Sequence, residues 1–241
     1  MKPLIIIPAI HEQTTDACLK SIDKKFYENI MIVDNSGLKF GLKYGLGYTI
    51  YAPGNIGVAR SWNQGVEAVI ARNYDFLIIL SASLIFNDGM NGFMEALERE
   101  NPDNGMMTQE GWHCIAINRK VFETIGDFDT NCYPAYYEDS DFIRRMELAK
   151  IHEPTGAINF KGCSVDAKSV SIAHGMKQAG VKVNMGAVRR YFIEKWGSDP
   201  RYGSQADRDK LFKHPFNNPN FGLDYYPNRP IEELKLLYNL Q

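Results

Sequence analysis

Short, continuous apolar runs alternate with amphipathic segments through the first third of the chain. Residues 4–7, 30–33 and 76–80 are rich in isoleucine and leucine and have the length of strands that are covered on both faces. Between the first two runs, residues 14–22 place capping candidates ahead of apolar side chains at helical spacing. A strand, a helix and a second strand in this order predict a right-handed βαβ unit and a mostly parallel sheet.

Farther along the chain, the periodicity is helical and then fades. Residues 87–99 carry an apolar stripe that predicts a helix packed on the core, and residues 230–240 predict a short closing helix. Between them, residues 188–197 interleave basic and aromatic side chains, and a polar, turn-rich segment follows. We therefore predict an α/β domain with a central sheet and flanking helices over residues 1–178. A C-terminal arm and closing helix, residues 179–241, should pack on the same domain.

Composition narrows the class of protein without identifying a partner. A chain of 241 residues with 44% hydrophobic and 23% charged residues has the balance of a soluble protein with one substantial domain and an appendage. Its formal net charge of −2 provides no general attraction for nucleic acid or anionic membrane. Four scattered cysteines form no Cys-x-x-Cys pair, which predicts free thiols in a reducing compartment. Because the N-terminal apolar run is too short for a signal peptide or a membrane span, we expect a cytoplasmic protein.

Three carboxylates are concentrated at Glu138, Asp139 and Asp141, between aromatic neighbours and just ahead of Arg144 and Arg145. One interpretation is a helix start, where acidic side chains complement the helix dipole. The other is chemical, since a carboxylate in a partly desolvated cleft can act as a general base. The local spacing alone leaves both interpretations open.

Two further segments have a chemical and a purely structural interpretation. Asp34 follows the second apolar run, at the edge of a parallel sheet where ligands bind, but Asp-Asn-Ser-Gly is also strong turn chemistry. Residues 53–65 contain glycines and asparagines ahead of a predicted helix. Their N–H groups suit a diphosphate, although a glycine-containing loop that turns into a helix is also common.

An ordered series of motifs connects these segments. The chain carries Gly111-Trp112, a short apolar strand, Arg119-x-x-Phe122, Ile125-Gly126-x-Phe128-Asp129 and Glu138-Asp139-x-Asp141. This series resembles the second half of family 2 glycosyltransferases of the GT-A fold. Val33-Asp34-Asn35-Ser36 and the Asn-x-Gly steps at 55–57 and 63–65 are similar to elements of the family's first half. The C-terminal arm resembles that of many relatives, including virus-encoded ones, and the main resemblance covers residues 3 to about 175.

The resemblance implies an inverting transferase that moves a sugar from a nucleotide-diphosphate donor to a hydroxyl of a glycan, a glycoprotein or another acceptor. A UDP-sugar is the favoured donor. Asp139 matches the catalytic base, and Glu138 matches an acceptor contact or the alternative base. Trp112 and Glu110 are implied to lie beside the acceptor with Glu138. The residues implied to bind the nucleotide sugar are Pro8, Ala9, Asp34, Asn35, Asn55, Gly57, Arg60, Asn63, Ser81 and Ser83.

One position departs from the family pattern. The resemblance implies an acidic metal motif after the third apolar run, but Ser81-Ala82-Ser83 stands there. Mg²⁺ and Mn²⁺ prefer anionic oxygen ligands, so the need for a divalent metal stays open. Asp88 and His174 are the candidate metal ligands, and no organic cofactor is expected. Without a metal, arginine and lysine side chains can offset the charge of a diphosphate leaving group.

Two alternative functions follow from the same features. The serine motif favours a non-catalytic relative that binds a nucleotide sugar. The basic and aromatic segment, residues 188–197, would suit a glycosyltransferase that acts on hydroxylated DNA bases, because grooves for single strands combine these side chains. A virus-encoded enzyme would act in the host cytoplasm.

Overall fold

The computed structural model describes residues 1–41, 44–100, 105–109, 111–151, 165–166, 180–199 and 228–240. Within them the strands are β1 (Pro3–Ala9), β2 (Ile30–Asp34), β3 (Tyr48–Tyr51), β4 (Phe76–Leu80), β5 (Ile85–Phe86), β6 (Met106–Gln109), β7 (Cys114–Asn118) and β8 (Val165–Asp166). The helices are α1 (Glu12–Ser21), α2 (Val58–Ala71), α3 (Asn91–Glu100), α4 (Arg119–Ile125), α5 (Glu138–Leu148), α6 (Met185–Trp196) and α7 (Ile231–Leu237). Two short 3₁₀ helices cover Lys24–Asn29 and Gly111–His113.

The central sheet has six strands in the order β3-β2-β1-β4-β7-β6. The first four strands are parallel, whereas β7 runs antiparallel to both β4 and β6. The predicted α/β fold with a mostly parallel sheet and flanking helices is therefore confirmed. The β1–β2 register pairs Ala9 with Asp34, so the carboxyl ends of these two strands lie side by side.

Side chains of the central strands alternate between the two faces of the sheet. Ile5 and Ile7 belong to the cluster that includes α1 and α3, whereas Leu4 and Ile6 pack with residues of α2, α4 and α5. Both faces are covered, and all five residues of β4 are buried. Burial on both sides explains why these strands are continuous apolar runs rather than alternating patterns.

Two features of the sheet, the edge strand β3 and the direction of β7, could not be predicted from local sequence patterns. The edge strand β3 alternates between half-buried and exposed residues and contains no continuous apolar run. β7 follows β6 after a short connection and runs antiparallel to both β6 and β4. Strand direction is a property of the chain path rather than of the strand's own residues.

The C-terminal helices pack on the segment that precedes α5. Val188, Phe192 and Trp196 of α6 form one cluster with Tyr133 and Tyr137. Leu234 and Tyr238, at the end of the described chain, belong to the same cluster. Cys18, Cys114 and Cys132 are buried, and Cys163 lies outside the described residues.

Candidate active site

A cleft opens at the point where the chain reverses its direction of travel across the sheet. From β1 the chain moves outward through β2 and β3, and it then crosses to β4 on the other side of β1. Ligands of α/β sheets bind in the crevice outside the carboxyl ends of the strands at such a point. The described residues that line the cleft are Pro8, Ala9, Ile10, His11, Thr14, Asn35, Asn55, Val58, Trp62, Ile79, Leu80, Ser81, Ala82, Ser83, Trp112 and Pro134.

Two tryptophans form one wall of this cleft. The rings of Trp62 and Trp112 are stacked, with centroids 5.8 Å apart and an angle of 23° between planes. Trp62 also packs edge-on against Phe128, and Phe128 stacks on Phe142 of α5. An aromatic wall of this kind suits the face of a sugar or a base. No sequence motif marks Trp62 as a site residue, although its spacing of four from Val58 places both residues on one face of α2.

The structure brings six of the ten predicted nucleotide-sugar residues together in the cleft: Pro8, Ala9, Asn35, Asn55, Ser81 and Ser83. Asn35 donates to Ser61 Oγ at 2.8 Å and accepts from the Ile56 N–H at 3.1 Å. These bonds tie the end of β2 to the start of α2. Asn55 Oδ1 accepts from the Gly57 N–H at 2.9 Å, which orders the same loop.

Gly57 permits a close approach between α2 and the segment at Pro134. Its φ is +89°, and a Cβ at this position would lie 2.8 Å from Tyr133 Cδ2 and 3.2 Å from the Pro134 carbonyl oxygen. The Val58 N–H donates to that carbonyl at 2.8 Å, and the Tyr133 hydroxyl donates to the Asn55 carbonyl at 2.9 Å. Glycine alone combines this backbone conformation with this space, so Gly57 sets the position of one cleft wall.

Asp34 lies beside the cleft rather than on its lining. It is 1% exposed, and its Oδ1 accepts from the Ser36 N–H at 2.9 Å. Its Oδ2 accepts from the Phe40 N–H at 2.7 Å. These bonds agree with the turn interpretation of Asp34, and they hold the loop after β2 in place. The contact of Asp34 with a nucleoside stays a prediction.

Arg60 and Asn63 also contact protein groups away from the lining residues. Arg60 Nη2 donates to the Arg229 carbonyl oxygen. Asn63 Nδ2 donates to the Phe128 carbonyl, Asn63 Oδ1 accepts from the Phe128 N–H, and both distances are 2.9 Å. Asn63 thereby ties α2 to the loop between α4 and α5. The nucleotide-sugar roles of both residues stay predictions.

The acidic pair lies at the start of α5. Tyr136 and Tyr137 precede it with φ values of 80° and 71°, in the left-handed region that non-glycine residues seldom adopt. Tyr137 is buried, and its hydroxyl donates to Asp199 Oδ2 at 2.7 Å. Strained backbone persists only where surrounding contacts enforce it, and it is concentrated at functional sites. This turn therefore determines where the first residues of α5 are presented.

Glu138 and Asp139 differ in exposure. Glu138 is 7% exposed, whereas Asp139 is half-buried, and Asp139 Oδ1 accepts from the Ser140 N–H at 2.7 Å. Both carboxylates lie in the first turn of α5, where acidic side chains complement the helix dipole. Pro134, five residues before Asp139, lines the cleft. The catalytic roles of both residues stay predictions.

Asp141 and Arg145 form a buried ion pair that holds the start of α5 in place. Arg145 Nε lies 2.9 Å from Asp141 Oδ2, and its two Nη atoms donate to the carbonyls of Ile125 and Asp127 at 2.6 and 2.7 Å. The guanidinium therefore joins α5 to the end of α4 and to the loop that follows it.

A buried lysine extends this junction to α6. Lys195 Nζ lies 2.6 Å from Asp129 Oδ2 and 2.6 Å from Asp141 Oδ1. Burial by itself would lower the pKa of Lys195, but the neighbouring Asp141 and Asp129 carboxylates outweigh it and the pKa is raised. Burial would likewise raise the pKa of Asp141, but Lys195 and Arg145 outweigh it and hold the pKa below its ordinary value. The sequence does not indicate this role of Lys195, because a lysine inside an amphipathic helix is ordinarily a surface residue.

The aromatic side chains of residues 188–197 face the interior of the protein. Tyr191, Phe192 and Trp196 are buried, and Arg189 Nε pairs with Asp199 Oδ2 at 2.8 Å. A groove for single-stranded nucleic acid needs exposed aromatic rings on which bases stack. The described part of the arm therefore lacks the stacking surface on which the DNA-base alternative depends.

Comparisons with solved structures concern this sheet and its helices. A mannosyltransferase from Pyrobaculum calidifontis, PcManGT, solved in complex with GDP-Man and Mn²⁺, has 12% sequence identity and a TM-score of 0.51, covering 80% of this chain and 64% of that chain. Residues 1–349 of Staphylococcus aureus TarS, solved in complex with UDP, have 13% identity and a TM-score of 0.45, covering 61% of this chain and 55% of that chain. The chain has a GT-A-type fold.

These neighbours are longer than the chain, which spans 55% and 64% of their lengths. Comparison with protein-family models and with curated proteins finds no match. The likeness is therefore one of fold. Within the described residues, no helix combines the length and apolar character needed to cross a membrane.

The family resemblance implies a divalent metal near the end of β4, and the described side chains there do not fit one. Ser81 Oγ and Ser83 Oγ lie 2.9 Å apart at the end of β4, and none of the described lining residues is a carboxylate. No group of three or more histidine, cysteine, aspartate or glutamate side chains within the described ranges could hold a metal ion. Asp88 is exposed after β5 and is not among the lining residues, while His174 and Glu110 lie outside the described residues.

Proposed function

We propose that the chain is a family 2-like inverting glycosyltransferase that moves a sugar from a nucleotide-diphosphate donor to an acceptor hydroxyl. A UDP-sugar is the favoured donor, and a glycan or glycoprotein is the favoured acceptor. The observation that carries the proposal is the cleft at the reversal point of a GT-A-type sheet, which gathers six predicted donor-binding residues and Trp112. A fold neighbour, PcManGT, was solved with GDP-Man, and this binding of a nucleotide sugar supports the proposal.

The proposed reaction is a single displacement at the anomeric carbon. Asp139 accepts the proton of the acceptor hydroxyl while its oxygen attacks, and the nucleoside diphosphate leaves with the electron pair of the broken glycosidic bond. The half-buried position of Asp139 leaves its carboxylate accessible to an acceptor. Glu138 contacts acceptor hydroxyls, and the Trp112 ring packs against a sugar face.

Asp139→Asn tests the proposal without knowledge of the acceptor. Release of UDP from a panel of UDP-sugars, with water as a slow acceptor, measures turnover, and calorimetry measures UDP affinity. We expect UDP release to fall at least about a hundredfold, in line with the loss of a general base, while UDP affinity changes little. Glu98→Gln removes an exposed carboxylate on α3 and should leave both quantities unchanged.

A non-catalytic binder is the alternative that a specific observation favours. Ser81 and Ser83 bond to each other where an acidic motif would be expected, and the cleft can still accept a base between its apolar walls. Such a protein would bind UDP but would release none from any UDP-sugar. Full UDP release by Asp139→Asn would instead preserve the enzyme and remove Asp139 as its base.

A further inference from the structure

His11 is the residue that leads from β1 into α1, and it lines the cleft between Ile10 and Thr14. We propose that His11 selects the nucleobase by donating a hydrogen bond from its Nε2–H to the 4-keto oxygen of uracil. This assignment rests on the proposed function, because it presumes that a nucleotide donor occupies the cleft. His11 belongs to none of the motifs that sequence analysis singled out.

The position of His11 is held by the first turn of α1. Its carbonyl oxygen accepts from the Thr15 N–H at 3.2 Å, from Thr14 Oγ1 at 3.0 Å and from Thr15 Oγ1 at 2.9 Å. Three donors on one carbonyl leave the backbone of His11 little freedom. A recognition group held by its supporting contacts loses less entropy when it binds a ligand.

The two ring nitrogens of His11 have different surroundings. Nδ1 is buried and has no hydrogen-bond partner in the structure. A neutral imidazole carries one N–H donor and one acceptor nitrogen, and a buried N–H without a partner is rarer in proteins than an unsatisfied acceptor. The proton is therefore assigned to Nε2. With this tautomer, the ring of His11 offers one N–H donor at the lining of the cleft, next to the end of β1.

The surroundings favour an uncharged partner for this donor. Glu12 is the next residue, and none of the described lining residues is a lysine or an arginine, so a phosphate would meet no fixed positive charge here. Besides His11, the lining consists of apolar side chains and of uncharged polar ones, and the cavity volume is about 130 Å³. Pockets that enclose whole small molecules have roughly 300–1,000 Å³, so this cavity fits a single ring. A pyrimidine base matches both its polarity and its size.

Uracil and cytosine carry different groups at the position that would contact Nε2–H. The 4-keto oxygen of uracil accepts from Nε2–H, whereas the 4-amino group of cytosine would place two donors against each other. UDP and CDP differ at that edge of the ring and share the ribose and the diphosphate. Their affinity ratio therefore isolates the contact of His11 from every other contribution to nucleotide binding.

Calorimetric titration of UDP and CDP into wild type, His11→Ala and His11→Gln tests the assignment. Wild type should bind UDP about tenfold more tightly than CDP, the effect of one neutral hydrogen bond. In His11→Ala, UDP affinity should fall about tenfold and the ratio should approach one. His11→Gln should bind both nucleotides nearly equally, because its amide can rotate to donate to uracil or to accept from cytosine.

His113→Ala is the matched control. His113 also has a buried Nδ1 without a partner in the structure, but it does not line the cleft, and its variant should keep the wild-type ratio. A tenfold preference for UDP that persists in His11→Ala, or a wild type without that preference, would overturn the assignment of His11 and leave the proposed function standing. Failure of the folded wild type to bind any nucleoside diphosphate would overturn both.

Discussion

Gly57 shows how one residue sets the shape of the cleft. Gly57→Ala would place a methyl group 2.8 Å from the Tyr133 ring at a φ of +89°, so either the ring or α2 must move. We expect a loss of about 1–3 kcal/mol in the free energy of unfolding, the range for strained backbone positions. Urea denaturation measures this loss, and weaker UDP binding should accompany it because the Pro134 wall shifts.

Gly54→Ala is the control for Gly57→Ala. Gly54 precedes the same loop, but a Cβ there would meet no atom within 4 Å. Its unfolding free energy should stay within about 0.5 kcal/mol of wild type. Equal losses in the two variants would mean that the loop as a whole, rather than the contact with Tyr133, is sensitive to substitution.

At the scale of the elements, Lys195 joins α6 to α5 through two buried carboxylates. Lys195→Met would leave Asp129 and Asp141 buried without their shared cation, and breaking such a pair costs about 3–5 kcal/mol. Thermal and urea unfolding should both show the loss. Lys235→Met, which removes an exposed cation paired with Glu232, should cost no more than about 1 kcal/mol. Similar losses in both variants would show that α6 is not secured by this network.

Acid should weaken the same junction. The pKa of Asp141 is lowered in the folded protein, because the effects of Lys195 and Arg145 exceed that of burial. A carboxyl whose pKa is lowered by folding contributes stability that is fully present above its unfolded pKa, about 3.9, and is lost as the pH falls through the folded value. The unfolding free energy should therefore decrease as the pH falls below about 4.

Asp141→Asn isolates the contribution of Asp141 to this pH dependence. The variant should be less stable at pH 7 and should lose less further stability than wild type as the pH falls below about 4, because its amide does not titrate there. Urea titrations at several pH values measure both curves. Parallel curves for the two proteins would assign the acid sensitivity to other carboxyl groups.

At the scale of the whole molecule, the side chains that line the cleft predict whether nucleotide binding needs a metal ion. Because none of the described lining residues is a carboxylate, UDP should stabilise the protein equally in EDTA and in Mn²⁺. At about a hundred times its Kd, UDP should add roughly 2.7 kcal/mol to the unfolding free energy. A thermal-shift panel of UDP, GDP, dTDP and CMP under both conditions measures this. Stabilisation that appears only with Mn²⁺ would locate metal ligands outside the described lining, and Asp88→Ala and His174→Ala would then identify them.

Much of the fold could be predicted from local patterns, whereas the site could be predicted only in part. The buried runs became β1, β2 and β4 because an apolar segment without alternation needs cover on both faces. Ser81 and Asn55 reached the cleft because residues after parallel strands meet at one edge of a sheet. Asn63 shows the limit, since nothing near it in the chain indicates that Phe128 is its partner.

The sequence by itself determined the types of element, their order and the residues that follow the strands, since short-range sterics and the burial of apolar side chains decide these properties. Only the tertiary structure decided which side chains meet. It placed Trp62 against Trp112, Lys195 between Asp129 and Asp141, and His11 beside the end of β4. Such contacts depend on the register and packing of whole elements that are distant in the chain. For that reason the helix that carries Asp139 could be predicted from local motifs, whereas the histidine proposed to read the base could not.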